Sequence, residues 1–308
     1  MAFIANCGLM LEPQQGMSIQ DVLDWATIAE QRNYGYILRS DHLLPIWGSK
    51  DRDSTECWTS LGVIAARTSK IKFGPLVSPI GYRNPALLAR MACNLNDYSH
   101  GRLVLGIGAG WYEDEYRAFG YDFPNFQVRY DQFIESLKII KPMIEGKQVN
   151  FQGKYYSAKA RCYPQKKVPL IIGGRNPRMM RAIAEYADEW NIYNPQIPRL
   201  QELKTLLETN TGNRKIPISR MGSFVVAETK SELNSKIVKN AEFFKTRFEP
   251  SLNPEEIRKI GGLCGTVDEF KSQLNNLIEA GIEKFYFQIV DTEDKAMVDL
   301  LTSILKDM

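Results

Sequence analysis

Short runs of β-branched and apolar residues alternate with stretches of helical period almost from one end of the chain to the other. Phe3–Leu9 reads as a first strand. Ser18, with Asp21 three residues on, is an acidic relative of the capping box and opens a helix. Tyr36–Arg39 predicts a second strand. A helix around Thr59–Arg67 leads into a strand over Ile71–Val77, and Pro85 then starts a helix whose Leu88, Met91, Leu95 and Tyr98 recur at helical spacing. Leu103–Ile107 predicts strand four. An acidic-aromatic turn over Trp111–Phe119 and a long helix from Val128 to Ile144, bent near Pro142, follow it.

Gln148–Tyr156, apolar at alternate positions and with Gly153 at its turn, predicts a small hairpin inserted into this rhythm. The rhythm then resumes. Pro169–Ile172 predicts strand five with its helix at Pro177–Ala187, Trp190–Tyr193 strand six with a helix near Leu200–Glu208, and Ile218–Ala227 strand seven with a helix around Ser231–Phe248. A polar insertion around Arg247–Gly262 precedes the helix Val267–Ala280, strand eight at Lys284–Val290 and a last helix. Eight βα units in 308 residues predict an α/β fold of the closed (β/α)8 TIM-barrel type with insertions, forming one domain over residues 1–308. No linker-like stretch separates two halves, which argues against a doubly wound sheet with a second domain.

Composition narrows the function classes. A formal net charge of +3 without a long basic run lacks the electrostatic footprint of a nucleic-acid binder. No apolar stretch approaches the roughly 18 residues of a membrane span, and no basic region precedes the apolar start, so a cytoplasmic protein is expected. Cys7, Cys57, Cys93, Cys162 and Cys264 are odd in number and form no C-x-x-C pair, which predicts buried free thiols. The only histidines, His42 and His100, are too few for histidine-rich metal chemistry, and no metal is expected.

In a parallel barrel, chemistry collects in the loops that follow the strands. Four such places stand out. Strand two runs into Asp41-His42, where the imidazole can exchange a proton near neutral pH and a neighbouring carboxylate can orient it; an N-capping Asp beside a surface His fits the dipeptide equally. Phe73–Pro79 carries glycine and proline where a buried strand avoids them, as a strand bent around something flat would, or simply an irregular strand end. Leu105–Trp111 holds Gly106, Gly108 and Gly110, which either leave room for a planar ring walled by Trp111 or pack tightly against a neighbouring strand. Gly173-Gly174-Arg175 ends strand five just before a helix, where free N–H groups and the helix dipole favour a phosphate; Arg178 and Arg181 extend a basic face that can equally be merely solvated.

At these residues the sequence resembles the luciferase-like monooxygenases and their F420-dependent oxidoreductase branch. The likeness is carried by Ser40-Asp41-His42-Leu43, Gly81–Ala86, Gly101-Arg102-Leu103, Gly108–Trp111 with Glu113 and Glu115, Gly265–Phe270 and Ala280-Gly281-Ile282, in order along nearly the whole chain. The resemblance implies a bacterial-luciferase-like barrel that holds a flavin-type ring at its C-terminal mouth. It implies a non-proline cis peptide at Leu76-Val77 against that ring and a phosphate turn at Gly173-Gly174-Arg175, beside the ring shelf that Gly108, Gly110 and Trp111 offer on the first of the two glycine readings. It further implies that Asp41 contacts the cofactor, and that His42, with Asp41, serves acid–base catalysis. F420 is the cofactor so implied, with hydride transfer to or from a small-molecule substrate. An FMN-dependent monooxygenase fed by a partner reductase is the alternative, and a barrel that has lost catalysis a third reading. A homodimer is also implied. Trp47 lies one residue farther from His42 than in the sugar-phosphate dehydrogenase relatives, and Trp111 stands where those carry a catalytic glutamate, which argues against a sugar-phosphate substrate.

Overall fold

The structure, a computed structural model, describes residues 3–212, 214–240 and 253–308. Its strands are β1 (Cys7–Leu11), β2 (Tyr36–Arg39), β3 (Lys72–Pro75), β4 (Ser78–Pro79), β5 (Leu105–Gly108), β6 (Val149–Gln152), β7 (Ser157–Ala160), β8 (Leu170–Gly173), β9 (Glu189–Tyr193), β10 (Ile218–Ala227), β11 (Leu263–Thr266) and β12 (Lys284–Gln288). Pairing runs β3-β2-β1-β12-β10-β9-β8-β5-β4, parallel at every junction of that path. The two ends of the path, β3 and β4, are successive pieces of one stretch of chain. Phe73 N donates to Arg102 O at 3.1 Å and Val104 N to Phe73 O at 2.9 Å, so the ring of strands is closed. This is the eight-stranded α/β barrel that the βα rhythm predicts.

Near-continuous burial along each barrel strand reflects helices packed outside and side chains filling the inside. The inner layer holds Met10, Tyr36, Leu38, Leu76, Val104, Ile171 and Tyr286. At the N-terminal end Tyr286 Oη donates to Glu189 Oε1 at 2.7 Å, and Lys284 pairs with the same carboxylate. These polar contacts fill the N-terminal layer of the barrel.

Helix starts follow local chemistry. Ser18 and Asp21 form a reciprocal capping box, Asn84 caps the helix Pro85–Tyr98, and Thr266 with Glu269 caps Val267–Glu279. Five sequence expectations shift. Phe3–Asn6 is a 3-10 helix and the strand begins at Cys7, where pairing with Phe285 of β12 starts. Trp111–Phe119, read as a turn, contains the helix Glu113–Ala118. The hairpin closes with β7 at Ser157–Ala160, beyond Tyr156. Within the insertion expected at Arg247–Gly262 the structure has a helix, Pro254–Lys259, and just after it β11, which pairs with the overhang Phe224–Ala227 of the ten-residue β10. The helix read over Ser231–Phe248 is seen as Lys230–Lys239; residues 241–252 lie outside those described.

Two predictions arise here. All five cysteines are buried and free, and burial pushes the Cys7 and Cys57 thiols up. The folded protein should therefore leave a disulfide reagent nearly uncoloured, and five thiols should react once it is unfolded; fast reaction of the native protein would contradict this burial. The second concerns Asp188, which holds β8 against the helix Phe126–Ile144. It accepts from Leu170 N at 3.0 Å and pairs with Lys141 at 3.0 Å and Lys167 at 2.7 Å. Burial by itself raises this carboxyl, but Lys167, the Leu170 amide and Lys141 together hold it below its ordinary value. Its stabilisation is therefore present above the unfolded pKa of about 3.9 and is lost as pH falls through the lower native value. Asp188→Asn should lower the denaturation midpoint at pH 7 and by progressively less in acid. An equal loss at pH 7 and pH 3 would refute the assignment.

Candidate functional site

The C-terminal ends of β2, β3, β5 and β8 bring most of the sequence-predicted site residues together. The peptide between Leu76 and Val77 is cis, separating β3 from β4. Leu76 is buried in the barrel, and Val77, half-buried, reaches across toward the next strands. A Cβ on Gly108 would lie 2.8 Å from Val77 Cγ2, and one on Gly106 2.3 Å from Pro75 O. Glycine at these two positions thus permits close strand-to-strand packing, and the Val77 side chain lies over Gly108. Gly110 has φ +80°, a left-handed conformation, and a Cβ there would lie 2.1 Å from Tyr116 Oη.

Gly173 is different. A Cβ there would meet only Val77, at 3.4 Å, an ordinary contact. Among the described residues no packing demands glycine at this strand end, so its missing side chain leaves space above Val77. Arg175 follows in the exposed turn before the helix Pro177–Tyr186 and makes no ion pair among the described residues. The Gly174 amide donates to Asn191 O and the Arg178 amide to the Asn176 side chain, whereas the Arg175 and Asn176 amides have no such partner among the described residues. Arg178 is turned aside, its guanidinium donating to Gln127 Oε1 at 2.7 Å.

The Asp41-His42 pair does not act as a unit. Asp41 is 1% exposed; its Oδ2 accepts from Ser78 Oγ at 2.6 Å and from Arg83 Nη1 at 2.6 Å, and its Oδ1 from Arg83 Nη2 at 3.2 Å. Arg83 Nη2 also donates to Glu56 Oε1 at 2.6 Å, and Trp58 Nε1 donates to Ser78 Oγ at 3.2 Å. Burial alone would lower the Arg83 guanidinium, but the Asp41 carboxylate beside it holds it above its ordinary value. The Asp41 carboxylate thus ties β2 to Ser78 of β4 and to Arg83 just after it, and not to the imidazole of His42.

His42 takes its partner from elsewhere. Its Nδ1 lies 2.9 Å from Glu115 Oε1, and Glu115 Oε2 accepts from Leu43 N at 2.9 Å. Glu115 is 1% exposed, on the short helix Glu113–Ala118. Tyr82 and Tyr116 flank it, and burial followed by the nearby Glu115 charge pushes both phenols up. The imidazole keeps some access, at 14% side-chain exposure, with the Trp111 ring edge-on at 5.5 Å and Tyr112 stacked on Trp111 at 5.3 Å. Trp111 is itself exposed, an aromatic wall beside His42.

Glu115 and Arg83 were missed as site residues by sequence reasoning. Both lie in segments that carry the family resemblance, which was the only signal; nothing in their spacing says which side chain each meets. Beside the mouth, between the ends of β1 and β12, a cavity of about 460 Å³ is lined in part by Met17, Trp25, Trp47 and Ile289. Its walls carry Glu12, Asp21, Asp24, Asp291 and Glu293 against Arg52, Lys239 and Lys295, a surplus of carboxylates. Among the described residues no cluster of three or more His, Cys, Asp or Glu could hold a metal, and no helix is long and apolar enough to cross a membrane.

A family model described as luciferase-like monooxygenase matches residues 2–296. The F420-dependent glucose-6-phosphate dehydrogenase of Microbacterium testaceum (strain StLB037) is 30% identical over 199 residues, 63% of this chain and 59% of that protein. The F420-dependent hydroxymycolic acid dehydrogenase of Mycobacterium tuberculosis (strain ATCC 25618 / H37Rv) is 31% identical over 169 residues, 54% of this chain. It is matched over 46% of its own length, so the chain spans about half the length of these relatives. A solved F420-dependent secondary alcohol dehydrogenase, in complex with an F420-acetone adduct, shares the fold with a TM-score of 0.79 at 19% identity, covering 97% of each chain.

Proposed function

Since this chain belongs to the luciferase-like monooxygenase family, we propose that it is an F420-dependent oxidoreductase, moving a hydride between the cofactor and a small organic substrate while His42 exchanges the accompanying proton. The observation that carries this reading is the state of His42 at the barrel mouth: Nδ1 is engaged by a buried carboxylate, and Nε2 is the atom left to give or take a proton. F420 is favoured over FMN because relatives named for two different substrates are both named F420-dependent.

The residues present fit such a group. The space above Val77 at Gly173 admits a ring or its tail, Gly173-Gly174-Arg175 offers amides and an unpaired guanidinium to a phosphate, and Leu76-Val77, Gly108, Gly110 and Trp111 border the same mouth. When bound, F420 supplies the hydride acceptor or donor at its C5. His42 Nε2 takes the hydroxyl proton when an alcohol is oxidised and returns it to the oxygen in the reverse direction. The cavity beside Trp47 is our choice for the substrate, and its surplus of carboxylates favours an uncharged or cationic alcohol or ketone over a phosphorylated one.

Titration of the purified protein with F420 and with FMN, read by cofactor fluorescence, tests the cofactor. Micromolar binding of F420 is the expected result. Binding of FMN alone, with oxygen consumption once a reductase supplies reduced flavin, would replace this reading by the monooxygenase one. Gly173→Leu should leave the thermal midpoint within about 2 °C, since the new Cβ meets only ordinary contacts, but weaken F420 binding at least tenfold by filling the space above Val77. Unaltered binding in that variant would remove Gly173 from the site.

A further inference from the structure

From the hydrogen-bond inventory around His42 we infer that Glu115 is a positioning residue: its buried carboxylate fixes His42 as the tautomer with the proton on Nδ1, so that Nε2 faces the mouth as a proton acceptor. The inference rests on the proposed acid–base role of His42 and adds to it the group that makes the role possible. Glu115 Oε2 is 2.9 Å from Leu43 N, a backbone donor that has no alternative orientation. Glu115 Oε1 is 2.9 Å from His42 Nδ1. A carboxylate offers only acceptors on both oxygens, so the atom it faces on the ring must be a donor, and the neutral imidazole then carries its lone pair on Nε2. The same residue fixes the backbone just after His42 and the ring itself. At 1% exposure it cannot touch a ligand, so it acts only through His42.

This pairing separates carboxylate from amide sharply. In Glu115→Gln the side chain keeps its shape but has one acceptor. If that oxygen stays with Leu43 N, the NH2 group faces Nδ1 and donates to it, moving the ring proton to Nε2. If the amide is turned the other way, its NH2 opposes the Leu43 N–H, two donors face to face in a buried place. The first arrangement is favoured, and it inverts the tautomer.

The chain contains only two histidines, His42 and the exposed His100, which makes nitrogen NMR of 15N-histidine-labelled protein directly readable. In mildly alkaline buffer the wild-type protein should show one histidine with its proton on Nδ1, absent from a His42→Gln sample, while His100 shows the solvent-like mixture. Glu115→Gln should move the His42 proton to Nε2 and lower kcat about 100-fold or more, with the substrate KM and the F420 affinity each within about threefold of wild type. Glu115→Asp, which keeps two acceptors on a shorter arm, should restore the Nδ1–H tautomer and recover part of the lost kcat. A wild-type His42 protonated on Nε2, or an unchanged tautomer in Glu115→Gln, would overturn the inference whether or not the variants fold well. An inverted tautomer with undiminished turnover would instead uphold the positioning by Glu115 and refute the acid–base role of His42.

Discussion

Replacing His42 by alanine should lower turnover with F420 and its alcohol or ketone substrate by about 10²–10⁴-fold, the usual contribution of a positioned general acid–base. F420 binding should stay within a few-fold of wild type. The ring is at the mouth, 14% exposed, and its loss removes no strand pairing. The cofactor pocket proposed around Val77, Gly108 and Gly173 is built from other strands and remains intact. A fall in F420 affinity matching the fall in kcat/KM would mean that His42 binds rather than transfers a proton. Steady-state kinetics combined with a fluorescence titration separates the two outcomes. Undiminished kcat would refute the proposed mechanism outright, leaving the barrel and its family membership untouched.

Asp41→Ala should be the most destabilising single change at the site, by about 3–5 kcal/mol, the range observed when one partner of a buried ion pair is removed. Three donors lose their acceptor at once: Ser78 Oγ and the two Arg83 nitrogens that reach the carboxylate. Among the described residues Arg83 then keeps only Glu56 as an ion-pair partner, which is 43% exposed and compensates a largely buried guanidinium poorly. Urea denaturation should show a midpoint shifted down with little change in slope. What remains folded should retain the His42 tautomer of the wild type, because the carboxylate that sets it is Glu115. If Asp41→Ala left stability near wild type and altered the His42 tautomer instead, the sequence expectation that Asp41 orients His42 would be right and the present assignment wrong.

The contrast between Asp41 and Glu115 shows how far the site could be read in advance. Asp41 is the only carboxylate next to His42 in the chain, and a linear reading assigns the pair to each other. Both residues lie in the loop after β2, where adjacency in sequence does not fix which side chains meet. The carboxylate that reaches Nδ1 comes from 73 residues away, on a short helix read from the sequence as a turn. Gly108 and Gly173 teach a related lesson. Both end barrel strands and look alike in sequence, yet a side chain at Gly108 would run into Val77 while one at Gly173 would meet Val77 only at an ordinary contact.

The sequence by itself determined the barrel, the hairpin interruption, the buried thiols and the strand ends where chemistry gathers. Those features depend on period, local capping and the burial of parallel strands, all of which are written in neighbouring residues. Tertiary structure alone decided which groups meet at the mouth: Glu115 on His42, Arg83 on Asp41, and Val77 over Gly108. Closing the ring sets β3, β5 and β8 side by side around Val77, and hydrogen-bond partners are then chosen by direction and distance, which no spacing along the chain encodes.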